Sequence, residues 1–547
     1  MHLSNMISLT GSPSYSYYNT RIEYWYSLHF RDHRYSIEIP MNKSIIIIGA
    51  GIAGLSAGCY AQMNGYRTKI FELHELPGGL CTAWERKDYM FDGCIHYLFG
   101  SAQGAPFNNI WQELGALQGR QFVNHSEFMR VTSGDGRELV AFSDPDRLEQ
   151  HIKEQSPSDS PLAEDLANGV RRFTSFDMSL LQKKPRSLMS LGDWLDFLKK
   201  MMPFVPSLAK WGLVSAQDIA QRFKDPFLRE AFQHVFGWPE IPMMAALSLL
   251  AYMHVENAGF PVGGSLEFAR ALERRYLELG GDICYKSQVM KVLVDKDLRG
   301  RPRAGGVQLY DDSEHRADWV ISTADGRSTI FDMLDGRFIN GSIRKLYDGH
   351  MAIRSQIQVS LGVNRDLSAE PHWITYLLPE PLSISGEEQR QIGIKHYCFD
   401  PSLAPNGKSV IEVMIPADYA YWQHIYGRKL YDTEQIQVEG IVIDFLEKLY
   451  PGIRGQIEII DVATPLSYER YTGNWLGSTS GWLPTNESMR LMLRGVSKTL
   501  PGLKDFYLAG QWVEPGGSVP LAAMSGRNAI QLICRDDRQP FTTSVPV

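Results

Sequence analysis

The sequence has no long apolar run, no paired cysteines and no block of basic residues. No uninterrupted apolar stretch approaches the roughly 18 residues that span a bilayer, which excludes an ordinary membrane-spanning helix. The six cysteines, Cys59, Cys81, Cys94, Cys284, Cys398 and Cys534, are scattered. None forms C-x-x-C and none is spaced with histidines as a zinc site would be, so no metal is expected and the setting is a reduced, intracellular one. The net charge of −7 is modest, and no Lys/Arg run is present to track phosphates; nucleic acid is excluded as a partner. G-x-S-x-G, H-E-x-x-H and the P-loop are absent, which removes the common hydrolase and nucleotidase chemistries. What remains is a chain of 547 residues, 44% hydrophobic, long enough for two or three lobes.

One stretch organises the rest: SIIIIGAGIAGLSAGCYAQMNGYRTKIFE, from Ser44 to Glu72. The apolar run Ile45 to Ile48 predicts a buried parallel strand. Gly49, Gly51 and Gly54 follow in the pattern G-x-G-x-x-G, then a helix from Ile52 to about Asn64 with Gly65 just past its end. A second strand, Thr68 to Phe71, ends at Glu72. This is a complete βαβ unit with a dinucleotide fingerprint. Gly49 permits the tight turn, Gly51 lets backbone approach a pyrophosphate, and Gly54 lets helix and strand pack closely. The helix N-terminus favours the phosphate charge. Glu72, about 20 residues beyond Gly51, is placed to accept hydrogen bonds from a ribose.

The far end of the chain carries a second signal. In DFYLAGQWVEPGGSVPLAAMSGRNAIQLI a strand, Phe506 to Ala509, runs into Gly510. The Gly516-Gly517 loop then precedes a helix that Pro520 would initiate. Between the two ends, residues 105–260 read as mostly helical. Within them Trp194, Leu195, Phe197, Leu198, Met201 and Met202 form an apolar face beside Lys199 and Lys200. That face suits either a lid packed on the core or a peripheral membrane contact. Ile241 to Met253 is uncharged and too short to span a membrane, so it lines a core or an apolar pocket. From Ser328 to about Pro484 the pattern alternates, as in an antiparallel sheet with one covered face. Tyr468, Tyr471, Trp475 and Trp482 either wall a flat apolar ligand or fill the interface between lobes.

The fingerprint, its acid, the Pro77-Gly78-Gly79 turn and the Phe91-Asp92-Gly93 element together resemble the flavoprotein superfamily of amine oxidases and phytoene desaturases. PGGLCT followed by FDGCIHY is most similar to the branch of phytoene desaturases, carotenoid isomerases and retinol saturases. The resemblance implies an α/β fold: a Rossmann-like FAD-binding domain with an inserted α+β substrate domain made of an antiparallel sheet plus helices. It divides the chain into an extension, 1–40, expected to be a disordered leader ahead of Met41; FAD-binding parts at 41–105, 261–330 and 486–547; a helical substrate or lid region at 106–260; and a substrate domain at 331–485. FAD is expected on Gly49, Gly51, Ala53, Gly54 and Glu72, on Gly78, Gly79 and Leu80, on the backbone at Val289, and on Gly510, Gly517 and Val519. No second G-x-G-x-x-G exists to hold a nicotinamide.

The chemistry implied is flavin-dependent desaturation, saturation or isomerisation of an apolar polyene or isoprenoid, in the cytoplasm or at a membrane surface, with the electron acceptor open. His96 and Tyr97 are candidates for proton transfer beside the flavin, set against a purely structural histidine; Asp92 is expected to be structural. Cys81 and Cys94 flank this segment and are weighed as reactive thiols against buried, inert ones. Asp325 and Arg327 are expected to hold a hinge. Two other functions stay open. One is amine oxidation, although Leu80-Cys81 stands where amine oxidases commonly have Arg. The other is a non-catalytic binder like the dissociation inhibitors of prenylated GTPases.

Overall fold

The computed structural model describes residues 43–181, 183–349 and 351–546; the leader expected over 1–40 lies outside the described residues. Ser44–Ile48 is the middle strand of a five-stranded parallel sheet. Its four isoleucines are at most 3% exposed, because both faces of the sheet are covered. Each such burial contributes roughly 1.5–3 kcal/mol. Arg67–Phe71 and Trp319–Ser322 flank this strand, and Asp282–Cys284 and Phe506–Leu508 form the edges. Four separated stretches of chain therefore meet in one sheet.

The helices Ile52–Met63 and Val519–Asp536 pack along each other on one face, over Ile45, Ile47 and Ile321. Their approach is close: a Cβ at Gly526 would lie 2.2 Å from the Ala53 carbonyl oxygen. A three-stranded antiparallel sheet, Val289–Lys296, Pro302–Leu309 and Glu314–Arg316, covers the other face through Val292, Ala304 and Val307.

The second layer system is a seven-stranded sheet. Its order is Ile457–Ala463, Gln356–Val363, Ser409–Pro416, Glu387–His396, Trp373–Ile384, Glu127–Thr132 and Glu138–Phe142. All pairs are antiparallel except Trp373–Ile384 with Glu127–Thr132. The helix Tyr431–Leu449 packs on it through Val438, Val442 and Leu446. Here the sequence reading needs correction: residues 127–142 are a hairpin of this sheet, not helix. The turn is Gly134-Asp135-Gly136, with Gly136 at φ +83.

A helical lobe surrounds the helix Met243–His254, which is buried almost all round against Val170, Phe173 and Trp211. Helix Leu191–Met201 behaves differently. Ser190 and Asp193 close a capping box at its start, yet none of its residues is buried. Leu191 is 78% exposed, Leu195 60%, Leu198 52% and Met202 65%. Packing onto the lobe comes from Met201 at the helix's end and from Phe204 and Trp211 next in the chain. Among the described residues, no helix is long and apolar enough to cross a membrane.

Candidate active site

A cleft opens at the carboxyl ends of the central parallel strands, where open α/β sheets bind their ligands. Ile48, Gly49, Gly51 and Ala53 form its floor, and Glu72, Gly78, Gly79 and Leu80 one wall. Val289 and Ser287 close the second-strand end, and Gly510, Gly517 and Val519 the far end. Gly54 lies outside the lining: a Cβ there would stand 2.0 Å from the Gly49 carbonyl oxygen, so its role is the close packing of helix on strand.

The cleft fits a dinucleotide. A Cβ at Gly51 would meet only the Gly78 carbonyl oxygen, at 3.8 Å, and would otherwise project into the open cleft. Gly51 caps the first helix without a side-chain bond, which leaves first-turn amides directed at a ligand. Ser518, at the start of the last helix, likewise makes no side-chain cap bond. Glu72 is buried; its Oε2 accepts from the Ala50 amide at 2.6 Å and its Oε1 from the His74 amide at 2.8 Å. Burial pushes its carboxyl pKa up, opposed by the surrounding backbone amides.

Beyond the cleft, towards the seven-stranded sheet, lies a set of enclosed polar groups. Lys395 Nζ stands 2.7 Å from His96 Nδ1 and donates to the Tyr397 hydroxyl at 2.8 Å. Tyr397 donates to Glu412 Oε2 at 2.9 Å. Burial lowers the Lys395 pKa to about 8 and raises that of Glu412 to about 8. Burial, then the cations Lys395 and Arg354, hold His96 well below the ordinary histidine range, so its imidazole is neutral. Asp92 is structural: it accepts from the Ser265 amide at 2.6 Å, the Ser265 hydroxyl at 2.7 Å and the Cys94 amide at 3.0 Å. A bond with Cys94, then burial, holds the Cys81 thiol well above its usual pKa, which makes it inert.

The model of the family described as flavin containing amine oxidoreductase matches residues 52–534. The chain belongs to this family. It is an FAD-dependent oxidoreductase. It is 25% identical over 532 residues to a phytoene desaturase (lycopene-forming) of a Paracoccus species, covering 91% of this chain and 98% of that one. It is 25% identical over 519 residues to prolycopene isomerase 1, chloroplastic, of an Oncidium hybrid cultivar, covering 90% and 83%. It is 22% identical over 517 residues to the all-trans-retinol 13,14-reductase of Danio rerio, covering 86% and 83%. In fold it is similar to an oxidoreductase from Methanosarcina mazei, with a TM-score of 0.54 at 16% identity over 89% of this chain and 100% of that one. It is also similar to a putrescine oxidase, with a TM-score of 0.56 at 13% identity over 90% and 99%.

In this flavin oxidoreductase the expected cofactor residues other than Gly54 converge on one cleft, while His96 and Tyr97 lie outside its lining. Asp325 lines the cleft and accepts from the Ser328 amide at 2.7 Å and the Trp475 amide at 3.0 Å, tying the sheet to the loop after Thr472. Arg327 makes a surface pair with Asp332. The aromatic stretch divides. Trp482 and Trp475 pack with Trp512 in a small core of their own. Tyr468 and Tyr471 line a groove of about 960 Å³ beside Leu80 and Trp84. The sequence reading missed Arg354, Lys395, Tyr397 and Glu412. The signal available was Glu412 inside the apolar strand Ser409–Pro416, and Lys395 just after the apolar stretch Ile392 to Ile394; the two pair in register.

Proposed function

We propose that this oxidoreductase acts on an apolar polyene or isoprenoid substrate, by desaturation, saturation or isomerisation, on the sheet side of the cleft. The observation that carries this is a run of aromatic contacts beyond the cleft, on the side of the helical lobe. Tyr97 packs against Phe99 at 5.3 Å and Phe128 at 5.9 Å between ring centroids, and Phe128 against Trp373 at 5.2 Å. Tyr97 and Phe99 are only partly covered although they pack on the buried core of that lobe. The named activities of the desaturase, isomerase and reductase relatives support the same reading.

Bound FAD supplies the two-electron chemistry. The chain's own part is to hold and orient. We assign the pyrophosphate to Gly49, Gly51, Ala53 and the first helix N-terminus, a ribose to Glu72, and the adenine to the backbone at Val289. Gly78, Gly79 and Leu80 border the middle of the cofactor, with Gly510, Gly517 and Val519 at the ring end. Gly54 serves the cradle indirectly. The cofactor lobe is then drawn from 41–105, 261–330 and 486–547, and the substrate side from 106–260 and 331–485. His96, kept neutral and bonded to Lys395, is a proton-relay candidate, and Tyr97 a member of the aromatic run.

Amine oxidation is the second reading. Arg354 and Lys395 oppose it, because both put positive charge beside His96, which would disfavour a protonated amine there. A flavin-free prenyl binder would have no need of the bare backbone at Gly51 and Gly79. The exposed apolar face of Leu191–Met201, flanked by Lys199 and Lys200, is assigned to peripheral contact with a lipid surface from which such a substrate is drawn. Incubation of the holoprotein with acyclic polyenes, followed by chromatography and mass measurement, tests the function. A product changed by two hydrogens or by double-bond geometry is expected. Unchanged polyenes under both oxidising and reducing conditions would contradict it.

A further inference from the structure

Arg354 is an enclosed cation without an anion. It precedes the strand Gln356–Val363. Its carbonyl oxygen accepts from the Thr479 amide at 3.0 Å and the Thr479 hydroxyl at 3.3 Å. The neighbouring Ser355 hydroxyl donates to the Leu476 carbonyl at 2.6 Å. Thr479 itself lines the cleft together with Gly517, Ser518 and Val519. The backbone of Arg354 is thus tied to the wall at the ring end.

Its side chain is enclosed by protein on most sides yet keeps some exposed surface. Burial depresses its pKa, and Tyr468 is the group that opposes this. It acts electrostatically on His96, whose other neighbour is the Lys395 ammonium. Among the described residues, no carboxylate forms an ion pair with Arg354.

A charge enclosed without a partner is unfavourable. It is retained where an anion arrives during function. Two sources exist: a substrate that carries a carboxylate, or the cofactor itself. A flavin that has taken up two electrons and one proton carries one negative charge, whereas an apolar polyene carries none.

We propose that Arg354 is the countercharge for the reduced flavin ring, a positioning and electrostatic residue that favours the anionic reduced cofactor. This rests on the placement of FAD in the cleft given above. The last helix adds to it, since its N-terminus, at Ser518 and Val519, reaches the same end of the cleft with the positive end of its dipole.

The test uses the purified holoprotein and two readouts that need no substrate. Sulfite adds to oxidised flavins and leaves negative charge on the ring, so its affinity reports the countercharge through loss of visible absorbance. Arg354→Met is expected to weaken sulfite binding at least about tenfold, the scale of one nearby opposite charge. The two-electron midpoint potential should fall by about 30 mV for each tenfold. Arg354→Lys keeps the charge and should stay within about threefold of wild type. If Arg354→Met does not retain flavin, Arg354→Gln is read in its place. Sulfite affinity and potential unchanged in a flavin-loaded Arg354→Met would overturn the proposal, as would an equal loss in Arg354→Lys.

A third arm separates the two sources of the anion. Retinoate and an uncharged hydrocarbon polyene of similar length are titrated into wild type and Arg354→Met. The proposal predicts no preference for retinoate that depends on Arg354. A preference lost in Arg354→Met, with sulfite affinity unchanged, would assign the charge to the substrate and overturn it. Failure of the FAD placement looks different: Glu72→Ala would leave flavin affinity unchanged.

Discussion

Lys395 and Glu412 stand opposite each other on paired strands, joined through the Tyr397 hydroxyl. Both are buried, and Glu412 Oε1 has no partner. Burial alone would make each neutral, and each partly restores the charge of the other.

This arrangement sets a pH dependence. The Glu412 pKa, raised to about 8 in the folded protein, exceeds its unfolded value of about 4.3. Between those values the folded state holds a proton that the unfolded state has released. Its contribution to stability is therefore complete at low pH and lost as pH rises towards 8, by at most about 1.4 kcal/mol per unit. Lys395 works in the opposite direction at higher pH: with its pKa lowered to about 8, stability rises from there towards the unfolded lysine value of about 10.4. Urea unfolding of wild type and Glu412→Gln from about pH 5 to 7.5 isolates the carboxyl. The stability of wild type relative to the variant should shrink steadily across that range. A constant difference would contradict the assignment.

Glu72 offers a test of cofactor binding. Removing its carboxylate takes away the bonds to the Ala50 and His74 amides and the proposed ribose contact. Glu72→Ala should weaken FAD binding by roughly ten- to a hundredfold, corresponding to a charged hydrogen bond of about 1.5–3 kcal/mol. Quenching of flavin fluorescence on reconstitution measures it; unchanged affinity would remove Glu72 from the site.

Two glycines of the βαβ unit should behave differently. A Cβ at Gly54 would collide with the Gly49 carbonyl oxygen, whereas one at Gly65 meets nothing within 4 Å and strains only a backbone at φ +80. Gly54→Ala is expected to lose flavin and at least about 1–3 kcal/mol of stability. Gly65→Ala should lose about 1–2 kcal/mol and keep its flavin. Flavin content after gel filtration, with thermal unfolding, distinguishes the two.

Most residues that line the cleft were legible in the sequence because their signals are local. The isoleucine run, the glycine spacing and the Pro520 start need only neighbouring residues to be interpreted. The polar groups beyond the cleft were not legible for the opposite reason. Which face of an alternating strand meets the cleft depends on pairing across long separations, and Lys395, Glu412 and Arg354 acquire meaning only once those strands are in register. The hairpin at 127–142 was missed for the same reason: Glu127–Thr132 owes its place to the distant strand Trp373–Ile384, although the Asp135-Gly136 turn was readable. Trp475 and Trp482, grouped with Tyr468 and Tyr471 by composition, are separated by folding into a core of their own.

The outward apolar face of Leu191–Met201 gives the membrane test. Leu195→Glu with Leu198→Glu should abolish flotation with anionic liposomes and leave folding stability within about 0.5 kcal/mol, since neither side chain is buried. Flotation unaffected by the pair would remove this helix from the account.

The central claim, a flavin oxidoreductase for apolar polyenes, is tested most directly by anaerobic titration of the holoprotein followed at the visible flavin absorbance. Oxidised protein is mixed with an acyclic polyene or with putrescine, and protein reduced beforehand is mixed with a more unsaturated polyene. The account predicts a change in flavin absorbance or a converted polyene with the polyenes, and neither with the amine. Bleaching by putrescine, with every polyene left unaltered, would contradict it.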